Sequence, residues 1–284
     1  MIDSHCHLNF NAFKDDWREV LNRSFDNGVE MMINIGSNYK TSERAVKIAK
    51  EFPQCYAAVG LHPIHVQEEK FDLEKFKELI IANKNYIKAI GETGFDYFHQ
   101  PFDKEKQKEV FLKHIELAKE FDLPVIFHCR GALNNLIEPY QHLLKIIQDQ
   151  LVSSQSISQN YADNTQTNAE SQRQSAFRGV LHCFSANWQI AQEFLDLGFY
   201  IGFTGIITFD NCDDYLLEVV KKTPLEKILI ETDAPYLAPE PRRGQRCEPW
   251  HVQFTAQKIA QIKKISIEDV IKQTTFNAKN LFRI

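Results

Sequence analysis

The segment VFLKHIELAKEFDLPVIFHCR (residues 110–130) contains one complete unit of the pattern that decides the fold. Phe111, Ile115 and Ala118 recur at helical spacing and predict a helix with one apolar face. The run from Pro124 to Cys129 then predicts a buried strand, and His128 stands near its end. The same order of helix, strand and polar strand end recurs along the chain.

Short runs rich in β-branched and aromatic residues predict eight strands, separated by segments with helical spacing. They span residues 2–7, 31–37, 56–62, 86–93, 124–129, 179–185, 199–205 and 227–233. Alternating strands and helices favour parallel pairing, and eight units fit a TIM-like (β/α)8 barrel of the α/β class. No glycine-rich dinucleotide motif follows the first strand, which argues against an open doubly wound sheet. We therefore predict one barrel domain over residues 1–284, with final helices near Trp250 and in residues 267–282.

Composition narrows the protein class. The chain has 284 residues, of which 43% are hydrophobic and 25% charged, as in soluble globular proteins. Its most apolar run, residues 198–209, is shorter than a membrane span, and Met1 leads directly into the first predicted strand without a signal segment. Six scattered cysteines lack C-x-x-C spacing, which fits reduced, buried thiols. We expect a cytoplasmic protein with no membrane partner.

The charge of the whole chain limits how it can bind a polyanion. A formal net charge of −5 argues against a broad cationic surface, so a polyanionic substrate would need local positive charge or metal ions.

One polar segment interrupts the alternation. Residues 148–178 are dominated by Gln, Ser and Asn, show no clear period, and cannot bury enough apolar surface to offset their ordering entropy. We predict a mobile insertion between the fifth and sixth units, and favour a spacer over a partner-binding loop.

Ionisable residues gather at the predicted carboxyl ends of the strands, where barrel enzymes place their chemistry. They are His5, His7, His62, Glu92, His128, His182 and Asp233. A single histidine at such a place is often only hydrogen-bonded or exposed, and we interpret His65, His99, His114 and His142 in that way. A ring of imidazoles with two carboxylates, however, supplies enough ligands for two divalent ions.

The chain resembles the TatD-like metal-dependent hydrolases, a branch of the amidohydrolase superfamily. The matching motifs run in the family's order across nearly the whole chain: DSHCHL (3–8), GLHP (60–63), GETGFDY (91–97), PVIFHCR (124–130), HCFS (182–185), ETDAPYL (231–237), PRRGQRCEP (241–249) and TTFNAKNLF (274–282). The resemblance implies a TIM-like barrel with a two-metal site that hydrolyses phosphodiester bonds in DNA, including removal of nucleotides from a 3′ end.

The resemblance also implies roles for single residues. His5, His7 and Asp233 would bind one ion, and Asp233 would accept a proton from the attacking water. Glu92 would bridge the two ions, which makes it catalytic together with Asp233. His128 and His182 would bind the second ion.

Substrate contacts are expected from five further residues. His62 would lie near the substrate phosphate with Arg130 assisting, although a structural role for either is equally compatible with the motif. Arg242, Arg243 and Arg246 follow the last strand, close to where barrels often bind phosphate, and the alternative is a solvated basic turn.

Several alternatives stay open. The ions could be Mg²⁺, Mn²⁺ or Zn²⁺, because histidine suits the last two and phosphodiester chemistry the first. The substrate could be single-stranded DNA or a frayed 3′ end, an ester or amide such as D-aminoacyl-tRNA, or the chain could be a metal-stabilised binding module. No motif determines the oligomeric state, and the chain could be a monomer.

The chain departs from the family pattern at three places: Cys247 replaces an asparagine, Gly131 replaces an aspartate and Ala186 replaces a glycine. These departures bear on substrate preference more than on metal binding.

Overall fold

The computed structural model describes residues 1–159 and 178–284, with only the backbone described for residues 151–159. Its eight strands form one parallel sheet in the order β1 to β8, each strand pairing with the next along the chain. The strands are β1 (Ile2–Cys6), β2 (Met31–Ile35), β3 (Cys55–Val59), β4 (Ile87–Asp96), β5 (Val125–Arg130), β6 (Gly179–Leu181), β7 (Tyr200–Phe203) and β8 (Ile228–Ile230). All eight predicted strands are found, and the predicted barrel is confirmed.

The barrel closes between β1 and the segment that follows β8. His7 N donates to Ala234 O at 2.8 Å, and Asp233 N donates to His5 O at 2.9 Å. Ser4 Oγ adds a bond to Ile230 O at 3.0 Å. These bonds take the place of a regular ladder, and they bring the histidines of β1 beside Asp233.

Helices lie between the strands as the alternation predicts. Within the described residues the α-helices are α1 (Trp17–Asp26), α2 (Tyr39–Glu51), α3 (Leu73–Ala82), α4 (Lys104–Phe121), α5 (Glu138–Gln159), α6 (Trp188–Asp196), α7 (Asp214–Lys222), α8 (Val252–Lys263) and α9 (Ile267–Phe282). Short 3₁₀ helices span Asn11–Phe13, Pro63–His65, Gly205–Thr208, Leu225–Lys227 and Pro249–His251. The predicted apolar face of α4 is buried at Phe111, Ile115 and Ala118.

The amino end of the barrel is filled by the last helix. Ala278, Leu281 and Phe282 of α9 pack in one buried cluster with residues near the starts of the strands, such as Ile2 and Leu229. Asn277 Nδ2 donates to Leu225 O and Ile228 O, both at 2.8 Å. This end is therefore apolar and closed, and the polar strand ends gather at the opposite mouth.

The polar segment 148–178 begins within a helix, since α5 extends to Gln159. Residues 160–177, which carry most of the predicted insertion, lie outside the described residues. A search of the described chain finds no helix long and apolar enough to cross a membrane. Of the cysteines, Cys6, Cys55, Cys129 and Cys247 are buried free thiols, whereas Cys183 and Cys212 are partly exposed.

Candidate metal centre

The first two histidines point at each other and at Asp233. His5 Nε2 and His7 Nε2 are 3.2 Å apart, and Asp233 Oδ1 lies 3.2 Å from His7 Nε2 and 3.7 Å from His5 Nε2. His7 Nδ1 lies 2.9 Å from Ile35 O, a pure acceptor, so Nδ1 carries the proton and Nε2 presents its lone pair to the cluster. Two residues apart on an extended strand, His5 and His7 thus share one face.

Glu92 lies at the centre of the mouth. Its Oε2 is 3.6 Å from His5 Nε2, 3.6 Å from His128 Nδ1 and 3.7 Å from His182 Nε2. Its Oε1 is 3.9 Å from His7 Nε2 and 3.5 Å from His62 Nε2. The carboxylate is therefore surrounded by imidazole nitrogens from five residues. The six side chains predicted to bind metal come together here, and His62 joins them.

Carboxylates lie behind the two histidines of the second group. His128 Nε2 is hydrogen-bonded to Asp96 Oδ2 at 3.0 Å, and His182 Nδ1 lies 2.9 Å from Glu231 Oε1. Glu231 itself is held in place by Cys183 N, which donates to Oε1 at 2.6 Å. It also fills the space beside Gly202, where a Cβ would lie 2.8 Å from its oxygens. Such partners fix the orientation of metal-binding imidazoles.

The spacing of the donor atoms suits shared divalent ions better than direct hydrogen bonds between the side chains. Among the described residues no hydrogen bond reaches the buried Glu92 Oε2, and its nitrogen neighbours at 3.6–3.7 Å are too distant for one. Two ligand atoms, each about 2.1 Å from one tetrahedral ion, would be separated by roughly 3.4 Å. Within the described residues four groups of three donors lie close enough together for one ion, and two of them, His5/His7/Glu92 and Glu92/His128/His182, contain Glu92. Glu92 thus has the position that a ligand shared by two ions would need.

The protonation of the cluster follows from its surroundings. Burial lowers the pKa of His5 and of His62, which keeps both rings neutral and leaves His5 able to bind a cation. Burial also disfavours charge on His128 and His182, but Asp96 and Glu231 outweigh it and raise the pKa of His128 to about 9 and of His182 to about 10. A cation at these two rings would replace a proton.

Asp3 fixes the backbone that carries the cluster. Fully buried, its carboxylate accepts hydrogen bonds from His5 N at 3.2 Å and Thr232 N at 3.0 Å, and from Thr232 Oγ1 at 2.6 Å. Asp233, which follows Thr232 in the chain, has a φ of 59°, a conformation that non-glycine residues seldom adopt. The bonds around Asp3 and Thr232 hold this residue in place.

The arginines predicted to bind substrate differ in their surroundings. Arg246 donates to the Asp16 carboxylate from both terminal guanidinium nitrogens, at 2.9 and 2.6 Å, and to Ala12 O at 2.8 Å. Arg243 lies over the Phe209 ring at 3.8 Å, and Arg242 over the Trp250 ring at 5.2 Å. Arg246 is thus committed to internal partners.

Arg130, by contrast, is exposed and lies over the Phe98 ring at 4.1 Å.

Three residues of the site were not predicted from the sequence, namely Asp3, Asp96 and Glu231. All three lie within the motifs given above, but a carboxylate that lies behind a proposed ligand does not recur at a characteristic spacing in the sequence.

The four histidines expected to be structural lie outside the Glu92 cluster. His114 is fully buried, donates from Nδ1 to Val110 O at 2.8 Å and accepts from Leu61 N at 2.9 Å. His99 touches the site through Asp96, whose Oδ2 lies 2.9 Å from His99 Nδ1.

Comparisons with known proteins identify the family of the chain. The family model described as TatD related DNase matches residues 2–283. The metal-dependent hydrolase YabD of Bacillus subtilis is 35% identical, over 100% of this chain and 99% of its own length. The 3′-5′ ssDNA/RNA exonuclease TatD of Salmonella typhimurium is 28% identical, over 100% and 99%. The crystal structure of YjjV, a TatD homologue from Escherichia coli, has a TM-score of 0.84 at 26% identity and covers 100% of this chain and 98% of its own. The chain therefore belongs to the TatD family of metal-dependent hydrolases, as its motifs predicted.

Proposed function

We propose that this chain is a two-metal deoxyribonuclease that removes nucleotides from the 3′ end of single-stranded DNA or of a frayed duplex. The observation that carries the proposal is the position of Glu92, which belongs to two groups of metal-binding donors at once. The exonuclease named among the relatives supports a nucleic-acid substrate.

The two groups divide the proposed ligands. His5, His7 and Asp233 would hold one ion, His128 and His182 the other, and Glu92 both. Two divalent ions held there would supply positive charge for the attacking and leaving oxygens of a displacement at phosphorus and would lower the pKa of water. Mg²⁺ and Mn²⁺ suit the phosphodiester, whereas the histidine-rich ligand set also suits Zn²⁺.

The chain's own residues supply positioning and proton transfer. Asp233 Oδ1 faces His7 Nε2, and its side chain is 16% exposed, so water can reach it. There it would accept the proton of the attacking water as a general base. His62 Nε2 points into the same space, 3.5 Å from Glu92 Oε1, and would hold a phosphate oxygen.

The test is an assay on a 5′-labelled single-stranded oligonucleotide. The purified protein, with Mg²⁺, Mn²⁺ or Zn²⁺ and with its metal content measured, should produce a ladder that shortens from the 3′ end. A phosphorothioate linkage at the 3′ terminus should block the ladder. Intact oligonucleotide under all three metals, with two ions bound per chain, would refute the proposal.

A deacylase is the second candidate, because the same activated water could attack an ester carbon. Incubation with D-aminoacyl-tRNA separates the two, since a deacylase releases the amino acid and leaves the nucleic acid uncut. A binding module without catalysis would lose melting temperature on chelation and turn over neither substrate.

A further inference from the structure

Exposed apolar side chains are concentrated at the barrel mouth. Eight large apolar side chains are exposed in the described parts of the chain. Five lie in the loops after β3, β4, β5 and β8, namely Ile64, Phe98, Leu133, Leu136 and Tyr236. The mouth therefore combines a metal-binding floor with an apolar rim, a combination that phosphate binding alone does not require.

Phe98 and Arg130 form a stacked pair within this rim. The Arg130 guanidinium carbon lies 4.1 Å from the centroid of the Phe98 ring, which stays 37% exposed. The pair spans two neighbouring strand ends, because Tyr97 N donates to Arg130 O at 2.8 Å. A planar cation over an aromatic ring gives a flat surface with a positive charge.

The charge of Arg130 is available to a ligand. Within the described residues no carboxylate pairs with Arg130, whereas Arg246 is neutralised by Asp16. Gly131 follows Arg130, and a Cβ there would lie 2.4 Å from Leu136 Cα, so the loop is too tight for a side chain at 131. Exposure, flatness and an unpaired cation thus coincide at one place.

The pair is fixed relative to the metal centre by Asp96. Asp96 Oδ1 accepts hydrogen bonds from Phe98 N and His99 N, both at 2.9 Å, while Oδ2 binds His128 Nε2 at 3.0 Å. His128 Nδ1 lies in turn 3.6 Å from Glu92 Oε2. One buried carboxylate therefore sets both the ring of a proposed metal ligand and the loop that carries Phe98.

We propose that Phe98 and Arg130 are a stacking platform for an unpaired nucleobase next to the phosphate at the metal centre. The inference rests on the proposed function and deepens it by naming the part of the substrate that is recognised. Every base has a π-face that aromatic rings and guanidinium planes can cover, whereas in a duplex those faces are occupied by neighbouring bases. The platform would favour single strands over duplexes without preferring a sequence.

The test measures binding separately from turnover. Asp233→Asn protein with Mg²⁺ is titrated into a fluorescein-labelled oligothymidylate, and into the same strand with abasic residues at its 3′ end. Adding Phe98→Ala should weaken binding of the oligothymidylate about tenfold and leave binding of the abasic strand unchanged. Arg130→Lys, which keeps the charge but loses the plane, should also weaken the first strand more than the second.

Phe276→Ala is the matched control. Phe276 is 58% exposed on α9, the helix that closes the opposite end of the barrel, so both strands should bind this variant as before. Phe98→Trp should restore binding of the oligothymidylate.

Three results would overturn the platform: equal losses on both strands, no loss on either, or a shift of the chain's sedimentation by Phe98→Ala, which would indicate an interface between copies. The proposed function has its own readout, the 3′ ladder of the unaltered enzyme. Failure of that ladder leaves the comparison of the two strands interpretable.

Discussion

Replacing Asp96 by asparagine tests whether the carboxylate behind His128 orients that ring. Asp96 is fully buried, and its Oδ2 binds His128 Nε2 at 3.0 Å and His99 Nδ1 at 2.9 Å. Although burial favours the neutral acid, the hydrogen bonds from His128 and His99 hold the pKa of Asp96 well below its usual value. Asparagine can keep the two backbone bonds at Oδ1, but its amide hydrogens would face both rings.

The expected size follows from those two contacts. Loss of a carboxylate behind a metal-binding histidine typically weakens metal binding 10–100-fold, or about 1.4–2.7 kcal/mol. Hydrogen bonds to a charged group contribute about 1.5–3 kcal/mol each, so the metal-free protein should lose at least about 3 kcal/mol of unfolding free energy. The two losses are separable, because the first is read from metal binding and the second from denaturation without metal.

Metal binding is measured by calorimetric titration of the metal-free protein with Mn²⁺. The unaltered chain should show two binding events, and Asp96→Asn should weaken the one that involves His128 while the event at His5 and His7 stays. Asp26→Asn, an exposed carboxylate at the end of α1, is the control and should change neither. Two unchanged binding events in Asp96→Asn would refute the orienting role.

Three more predictions rest on single contacts. Asp233→Asn should abolish turnover and barely change the melting temperature, because asparagine tolerates the φ of 59°; residual activity above about 1% would remove Asp233 as the base. Arg246→Ala should lower the unfolding free energy by about 1 kcal/mol, through its lost pair with Asp16, and leave KM for an oligonucleotide unchanged; a large rise in KM would show substrate contact instead. Although burial opposes the shift, hydrogen bonds from Arg23 and Trp250 lower the pKa of Glu248 to about 2, so this carboxylate stabilises the fold above about pH 4.5 and stops doing so as the pH falls towards 2. Glu248→Gln should therefore flatten the dependence of melting temperature on pH between these values, and an unchanged slope would exclude this contribution.

The sequence predicted the barrel because its strands differ sharply from their surroundings. Buried runs such as that in β5 are bounded by polar segments on both sides, and a parallel arrangement leaves few other topologies. The strand-end rule then brought His5, Glu92 and His182 together from distant parts of the chain. Strand ends were less predictable, because several predicted strands continue into the loops that carry the ligands, as at His182 after Leu181.

The sequence pattern does not distinguish the carboxylates that lie behind the proposed ligands from other polar residues. Asp96 and Glu231 lie four and two residues from proposed ligands, and strand periodicity alone would place them anywhere on the rim. Their role depends on which imidazole nitrogen faces them, and that is a matter of side-chain rotation after the barrel has closed. The same holds for Asp3, whose partner Thr232 is brought to it only by the contact of β1 with the segment after β8.

The arginines show most clearly why charge in a sequence does not identify a binding surface. Arg130 and Arg246 both lie in motifs near the mouth, and both were predicted to contact substrate. In the folded chain Arg246 meets Asp16, more than two hundred residues away in sequence, while the Arg130 guanidinium lies over an aromatic ring and pairs with no carboxylate in the described part of the chain. A guanidinium that is already neutralised would have to lose its carboxylate before it could bind a phosphate, whereas one stacked on Phe98 needs to break no ion pair. Whether an arginine is free to bind a ligand therefore depends on the groups around its guanidinium, and the closure of the barrel determines which groups those are.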